Sequence, residues 1–228
     1  MPDSGVAPLP LVGALLLAAA AFVLILSVEA RAEAPLVNLS FFARGRFVMG
    51  VAIGSLSMFS IIGLLLYFNL YAQSRDVGLT ALEAGASLLP LSAALLALAM
   101  LAPAVATRLG LRNALTVGMA LITIASAVIG VAVAEGSLVL LSIGFLPMGA
   151  GLAVPYASAP RVALSALSPA QTGQGSGIVN ACTFLGGSVG VAGGAIAFAL
   201  GGFGAVLTMI ALAGIIGATL SRRIPKTG

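Results

Sequence analysis

The chain has 228 residues, 61% of them hydrophobic and only 7% charged, with a formal net charge of +4. A soluble domain carries about 25% charge, so a water-soluble enzyme or binding module is excluded. Ten scattered Lys and Arg without an aromatic-interleaved basic strip exclude a nucleic-acid surface.

Seven apolar runs follow one another, at 8–27, 46–71, 82–106, 113–134, 137–158, 177–200 and 203–220. A bilayer core of about 30 Å takes roughly 20 residues of helix, so the composition predicts an all-α membrane protein with seven transmembrane helices. No Lys or Arg precedes the first run, which favours a retained span over a cleaved signal peptide. The connection after it carries Leu36, Val37, Leu39, Phe41 and Phe42 between Arg31 and Arg44. It is too short to span, and reads as a segment lying along the membrane interface or as an ordinary loop. Residues 1–45 therefore form one helix and a linker, and 46–228 a six-helix unit. Only Gly201 and Gly202 part the last two runs, enough for a tight reversal.

The gaps alternate in charge. Arg31, Arg44, Arg46, Arg108, Arg112, Arg161, Arg222, Arg223 and Lys226 fall in every second gap. The opposite gaps hold Arg75, beside Asp76 and Glu83, and Glu135. Positive residues stay cytoplasmic, so the N-terminus is expected outside and the C-terminus in the cytoplasm of a plasma or inner membrane.

Within the runs, Ser57, Ser60, Leu64, Tyr67 and Tyr71 recur at steps of three and four and share one helical face. Polar groups avoid lipid, so this face lines a substrate cavity ending at Tyr71 and Gln73, or makes interhelical hydrogen bonds. Asn69 points away from it. The run 137–158 and its exit carry Pro147, Pro155 and Pro160, which predict a kinked or broken helix. Ser168-Pro169-Ala170-Gln171 has the form of an N-cap with proline at the first helical position. Asn180 and Thr183 are candidate polar cavity contacts. Gly186, Gly190 and Gly194 form a four-residue repeat suited to close helix packing. Cys182 is a lone small packing residue.

No acid sits near mid-membrane, where it would be a functional site by default. The chain has no histidine, the commonest metal ligand and general base. No catalytic residue, metal or cofactor is expected, and an intramembrane enzyme is disfavoured. A retinal-binding protein would need a lysine in its last span, but the only lysine, Lys226, lies in the tail.

Between the third and fourth runs stands Thr107-Arg108-Leu109-Gly110-Leu111-Arg112. Gly110 permits positive φ in a tight turn, and Arg108 and Arg112 flank it. Arg108, Gly110 and Arg112 resemble the cytoplasmic loop signature G-x-x-x-D-R-x-G-x-R of the major facilitator superfamily. Thr107 replaces its acid and Pro103 its leading glycine. Tyr71-Ala72-Gln73, the stretch Gly78 to Gly85 and Pro90 resemble the link between the first two helices of the C-terminal half in the fourteen-span drug/proton antiporter branch. Glu29-Ala30-Arg31 with 35–39, and Gly175-Ser176-Gly177 with Asn180 and 185–187, are similar to further parts of that branch.

The resemblance implies one extra helix followed by a C-terminal six-helix half built as a 3+3 inverted repeat. The expected function is transport, as efflux of drugs or amphipathic solutes. Its implied partners are the lipid bilayer, a small-molecule substrate and a second transporter half or a homodimer, with no nucleic acid. The resemblance also implies that the half usually bearing the proton-coupling acids lies outside this chain. Other readings are a non-functional truncated fragment and a seven-span structural or receptor-like protein. Reporter fusions after Arg112 and Arg161 should report cytoplasm, and fusions at Asp76 and Glu135 the exterior. An external signal at Arg112 would reverse the topology.

Overall fold

A computed structural model describes residues 38–225. The chain divides into two compact units, 1–39 and 40–228, and the described helices belong to the second. The apolar run 8–27, the linker up to residue 37 and Lys226 lie outside the described residues.

Regular structure among the described residues is helical. Six α-helices follow in order: α1 (Gly45–Ala72), α2 (Ala81–Ser87), α3 (Leu89–Leu109), α4 (Leu111–Ala134), α5 (Leu138–Leu164) and α6 (Thr172–Arg222). Short 3-10 turns at Leu39–Ala43 and Pro169–Gln171 precede α1 and α6. Counting α2 with α3, five helices among the described residues are long and apolar enough to cross a membrane.

The last of them is two arms. Gly201 and Gly202 leave helical geometry, Gly202 at φ 63° and ψ −156°, a region open to glycine. A Cβ placed on Gly193 would lie 3.2 Å from Met209 Sδ. On a straight helix residues so separated would stand about 24 Å apart. The chain therefore reverses, as the glycine pair predicts, and arms 172–200 and 203–222 pack on each other.

The other connections are equally short. Gly110 alone, at φ 77°, joins α3 to α4, the positive φ expected of the Arg108–Gly110–Arg112 turn. The expected third span is interrupted: Pro90 stands at the start of α3 and has no N–H to continue the ladder from α2. A capping box starts α2, with Glu83 Oε2 accepting from the Thr80 N–H at 2.8 Å and Thr80 Oγ1 accepting from the Glu83 N–H at 3.3 Å. At α6 the Ser168 N–H donates to Gln171 Oε1, and the helix begins at Thr172, five residues before the expected boundary.

Of the two alternatives expected for α5, a kink or a break, the break does not occur: the helix runs continuously through Pro147, Pro155 and Pro160. Small residues of α4 and α5 make room for a ring that would otherwise crowd its neighbours. Pro155 packs over Gly118, whose hypothetical Cβ would fall 2.6 Å from Pro155 Cδ, and Gly151 faces the Gly118 carbonyl.

Glycines also set the helix pairings. Gly186 and Gly190 of α6 lie against the backbone of Ser55 and Phe59 of α1, so these two run parallel. Gly194 faces the Tyr67 ring, and Gly50 of α1 sits on Ala159 and Ala163 of α5. Gly214 and Gly217 meet Thr123 and Met119, placing the second arm of α6 antiparallel to α4. These directions gather Arg44, Arg46, Arg108, Arg112, Arg161, Arg222 and Arg223 at one end of the bundle. Arg75, Asp76, Glu83 and Glu135 stand at the other.

A Cβ on Gly190 would come 2.5 Å from the Phe59 carbonyl, whereas one on Gly177, in the same arm, meets nothing within 4 Å. Gly190→Leu should therefore lower stability by about 1–3 kcal/mol or more, the usual cost of overpacking. Gly177→Leu should stay within about 0.5 kcal/mol of the parent. Denaturant unfolding in detergent micelles measures both.

Candidate functional site

The polar stripe of α1 faces protein. Ser57, Ser60, Leu64 and Tyr67 are all buried. Ser57 and Ser60 donate to the carbonyls one turn back, Ile53 and Leu56, at 2.8 Å. Ser57 also reaches Met119 Sδ at 3.9 Å. The Tyr67 hydroxyl crosses to the Val191 carbonyl on α6, and its ring lies by Phe198. The serines thus bond their own helix, and Tyr67 carries the hydrogen bond that crosses to a neighbour.

The stripe opens at its C-terminal end. Tyr71 stacks on Phe203 with ring centroids 5.2 Å apart. It also borders a hollow of about 620 Å³ between the α1–α2 and α4–α5 connections, walled by Val77, Ala132 and Leu141 and edged by Asp76 and Glu135. Gln73 takes no part in that lining. It is exposed and caps α1, with its side-chain amide 3.4 Å from Asn69 Oδ1.

Thr183 is buried against α1 and back-bonds to the Val179 carbonyl. Asn180 is exposed. Gly186, Gly190 and Gly194 lie where the sequence placed them, at helix contacts. At the basic end Arg108 is exposed and Arg112 half-buried on either side of Gly110. Thr107, in the place of the family acid, bonds its own helix through the Ala104 carbonyl at 2.9 Å.

Three contacts have no counterpart among the sequence candidates. Arg44 Nη1 donates to the Ala166 carbonyl at 2.6 Å and to Gln171 Oε1 at 3.2 Å, and the guanidinium lies 5.6 Å from the Phe41 ring centre. It ties the start of α1 to the α5–α6 connection, where charge counting assigned it only to a basic gap. Ser55 donates to the Cys182 carbonyl at 2.9 Å, and Thr123 to the Ala211 carbonyl at 3.2 Å. The available signal was the placement of Ser55 beside the glycine-bearing face of α6.

Chemically the interior is mild. Besides Tyr67, the buried polar residues among those described are Ser57, Ser60, Ser126, Ser158, Thr183 and Ser221, with no carboxylate or amine. No group of three metal-ligating side chains occurs among the described residues. Such an interior offers hydrogen bonds and apolar walls.

This bundle defines a multi-pass membrane protein. Residues 5–191 match the Major Facilitator Superfamily, and the chain belongs to that family. It is similar to the tetracenomycin C resistance and export protein of Streptomyces glaucescens, with 29% identity over 164 residues. The match covers 72% of this chain and 30% of that relative, so the matched stretch is under a third of the relative's length.

Tyr67→Phe should cost about 1 kcal/mol by removing a buried hydrogen bond between helices. Ser57→Ala should be nearly neutral to fold, because its hydroxyl bonds mainly its own helix. Thermal unfolding of the two variants in micelles separates the hydroxyl that joins helices from the one that does not.

Proposed function

We propose that this chain works as part of an export carrier for small amphipathic molecules, supplying its C-terminal six-helix half with an extra helix before it. The observation that carries this reading is the family match across residues 5–191, joined by the stretch shared with a resistance and export protein.

The helix pairings support a 3+3 inverted repeat. Take α1, α2/α3 and α4 as one triple, and α5 with the two arms of α6 as the other. Their directions are then opposite, member for member. The contact of α3 with α5, at Leu91 and Gly149, has its counterpart in the contact of α6 with α1 at Gly186 and Ser55. The contact of α4 with α5, at Gly118 and Pro155, corresponds to Phe203 on Tyr71. The basic end is assigned to the cytoplasm, since positive residues concentrate there, in a plasma or inner membrane.

In this reading the exposed faces of α3 and the first arm of α6 meet a second six-helix half or a second copy, and Asn180 lies on the substrate side. Multidrug breadth and exchange against protons remain with the complete carrier.

Accumulation of a fluorescent amphipathic compound in intact cells tests the proposal, with the chain expressed alone or beside a complementary half. Accumulation should fall several-fold below vector controls in at least one arm, and Gly110→Leu should restore it by straining the turn between α3 and α4. Accumulation equal to vector controls in both arms would overturn the reading.

A further inference from the structure

A groove of about 310 Å³ runs along the outer side of the bundle between α4 and the second arm of α6. Ala120 and Ala218 line it as small residues, with Ile124 and Ile215 among the side chains bordering it. Two threonines line it as well, but their hydroxyls are engaged: Thr123 donates to the Ala211 carbonyl at 3.2 Å and Thr219 to the Ile216 carbonyl at 2.7 Å. The groove thus has an apolar wall with side-chain donors already used, suited to hydrocarbon.

Its last lining residue is a cation. Arg222 belongs to the groove and is exposed. The register that sets Gly217 on Met119 and Gly214 on Thr123 brings Arg222 level with the first turns of α4. Arg223 follows in sequence. The described carboxylates, Asp76, Glu83 and Glu135, are at the far end of the bundle, about 36 Å away along a helix the length of α4. From Ile215 to Arg222 the groove wall rises about 10 Å, within the roughly 15 Å of a single leaflet.

We infer that this groove binds an anionic phospholipid, one acyl chain lying on Ala120 and Ala218 and the headgroup phosphate held by Arg222. A guanidinium pairs with phosphate oxygens in a forked geometry that suits a headgroup at the helix end. Among the described residues no carboxylate stands at this end to pair with the ammonium of a zwitterionic headgroup, which favours lipid of net negative charge. The inference needs the chain to sit in a bilayer, but is independent of whether it exports anything.

The test uses the full chain reconstituted in vesicles of equal phosphatidylglycerol and phosphatidylcholine, then released in mild detergent for native mass spectrometry. Phosphatidylglycerol should remain bound several-fold more than phosphatidylcholine. Arg222→Gln, at an exposed position, should bring the two to parity. Ala218→Phe should do the same by filling the groove while keeping the charge, and Ile124→Trp serves if that variant fails to fold. Loss with Arg222→Gln but not with either filling variant would show diffuse attraction and overturn the site. Equal retention of both lipids by the parent would overturn it too. So would a lipid-free dimer that the filling variants dissociate, which would assign the groove to a second copy.

Discussion

The backbone contact of α1 with the first arm of α6 is the constraint on which the rest of the bundle depends. Lipid gives helices no hydrophobic reason to associate, so cohesion comes from close packing and from hydrogen bonds between helices. Gly186 and Gly190 remove the side chains that would hold α6 away from Ser55 and Phe59. Only at that distance can Ser55 reach the Cys182 carbonyl and Tyr67 the Val191 carbonyl. Tyr67 in turn fills the space at Gly194 and meets Phe198. Each bond is modest, of order 0.6 kcal/mol in membrane settings, and the geometry makes them mutually supporting.

Charge adds a second layer of order. Seven of the eight described arginines stand at one end of the bundle, and the described acids at the other. Arg44 goes beyond this polarity, because its bonds to Ala166 and Gln171 hold the entry of α1 to the exit of α5. The interior between the two ends carries hydroxyls alone among its buried polar groups, as far as the described residues go.

Much of the bundle was legible in the sequence because span length, glycine spacing and charge in the gaps are local properties. The positive φ of Gly110, the reversal at Gly201–Gly202 and the contacts of Gly186, Gly190 and Gly194 could all be read that way. Pro155 could not. The ring costs a hydrogen bond within its own helix, but the room it finds against the next helix depends on Gly118, nearly forty residues away. The candidate site was less legible for the same reason. Periodicity placed Ser57 and Tyr67 on one face, but only the neighbouring helix distinguishes a hydroxyl that bonds its own turn from one that crosses to α6. Arg44 was hidden because a charge count has no geometry.

The reversal at Gly201–Gly202 bears on how the protein is made. Two residues close the loop between two apolar arms, so the entropy of bringing them together is small. No charge in that loop has to cross the membrane. A closure this short favours insertion of the two arms together as one helical hairpin, the pairing that Gly193 and Met209 show in the finished bundle.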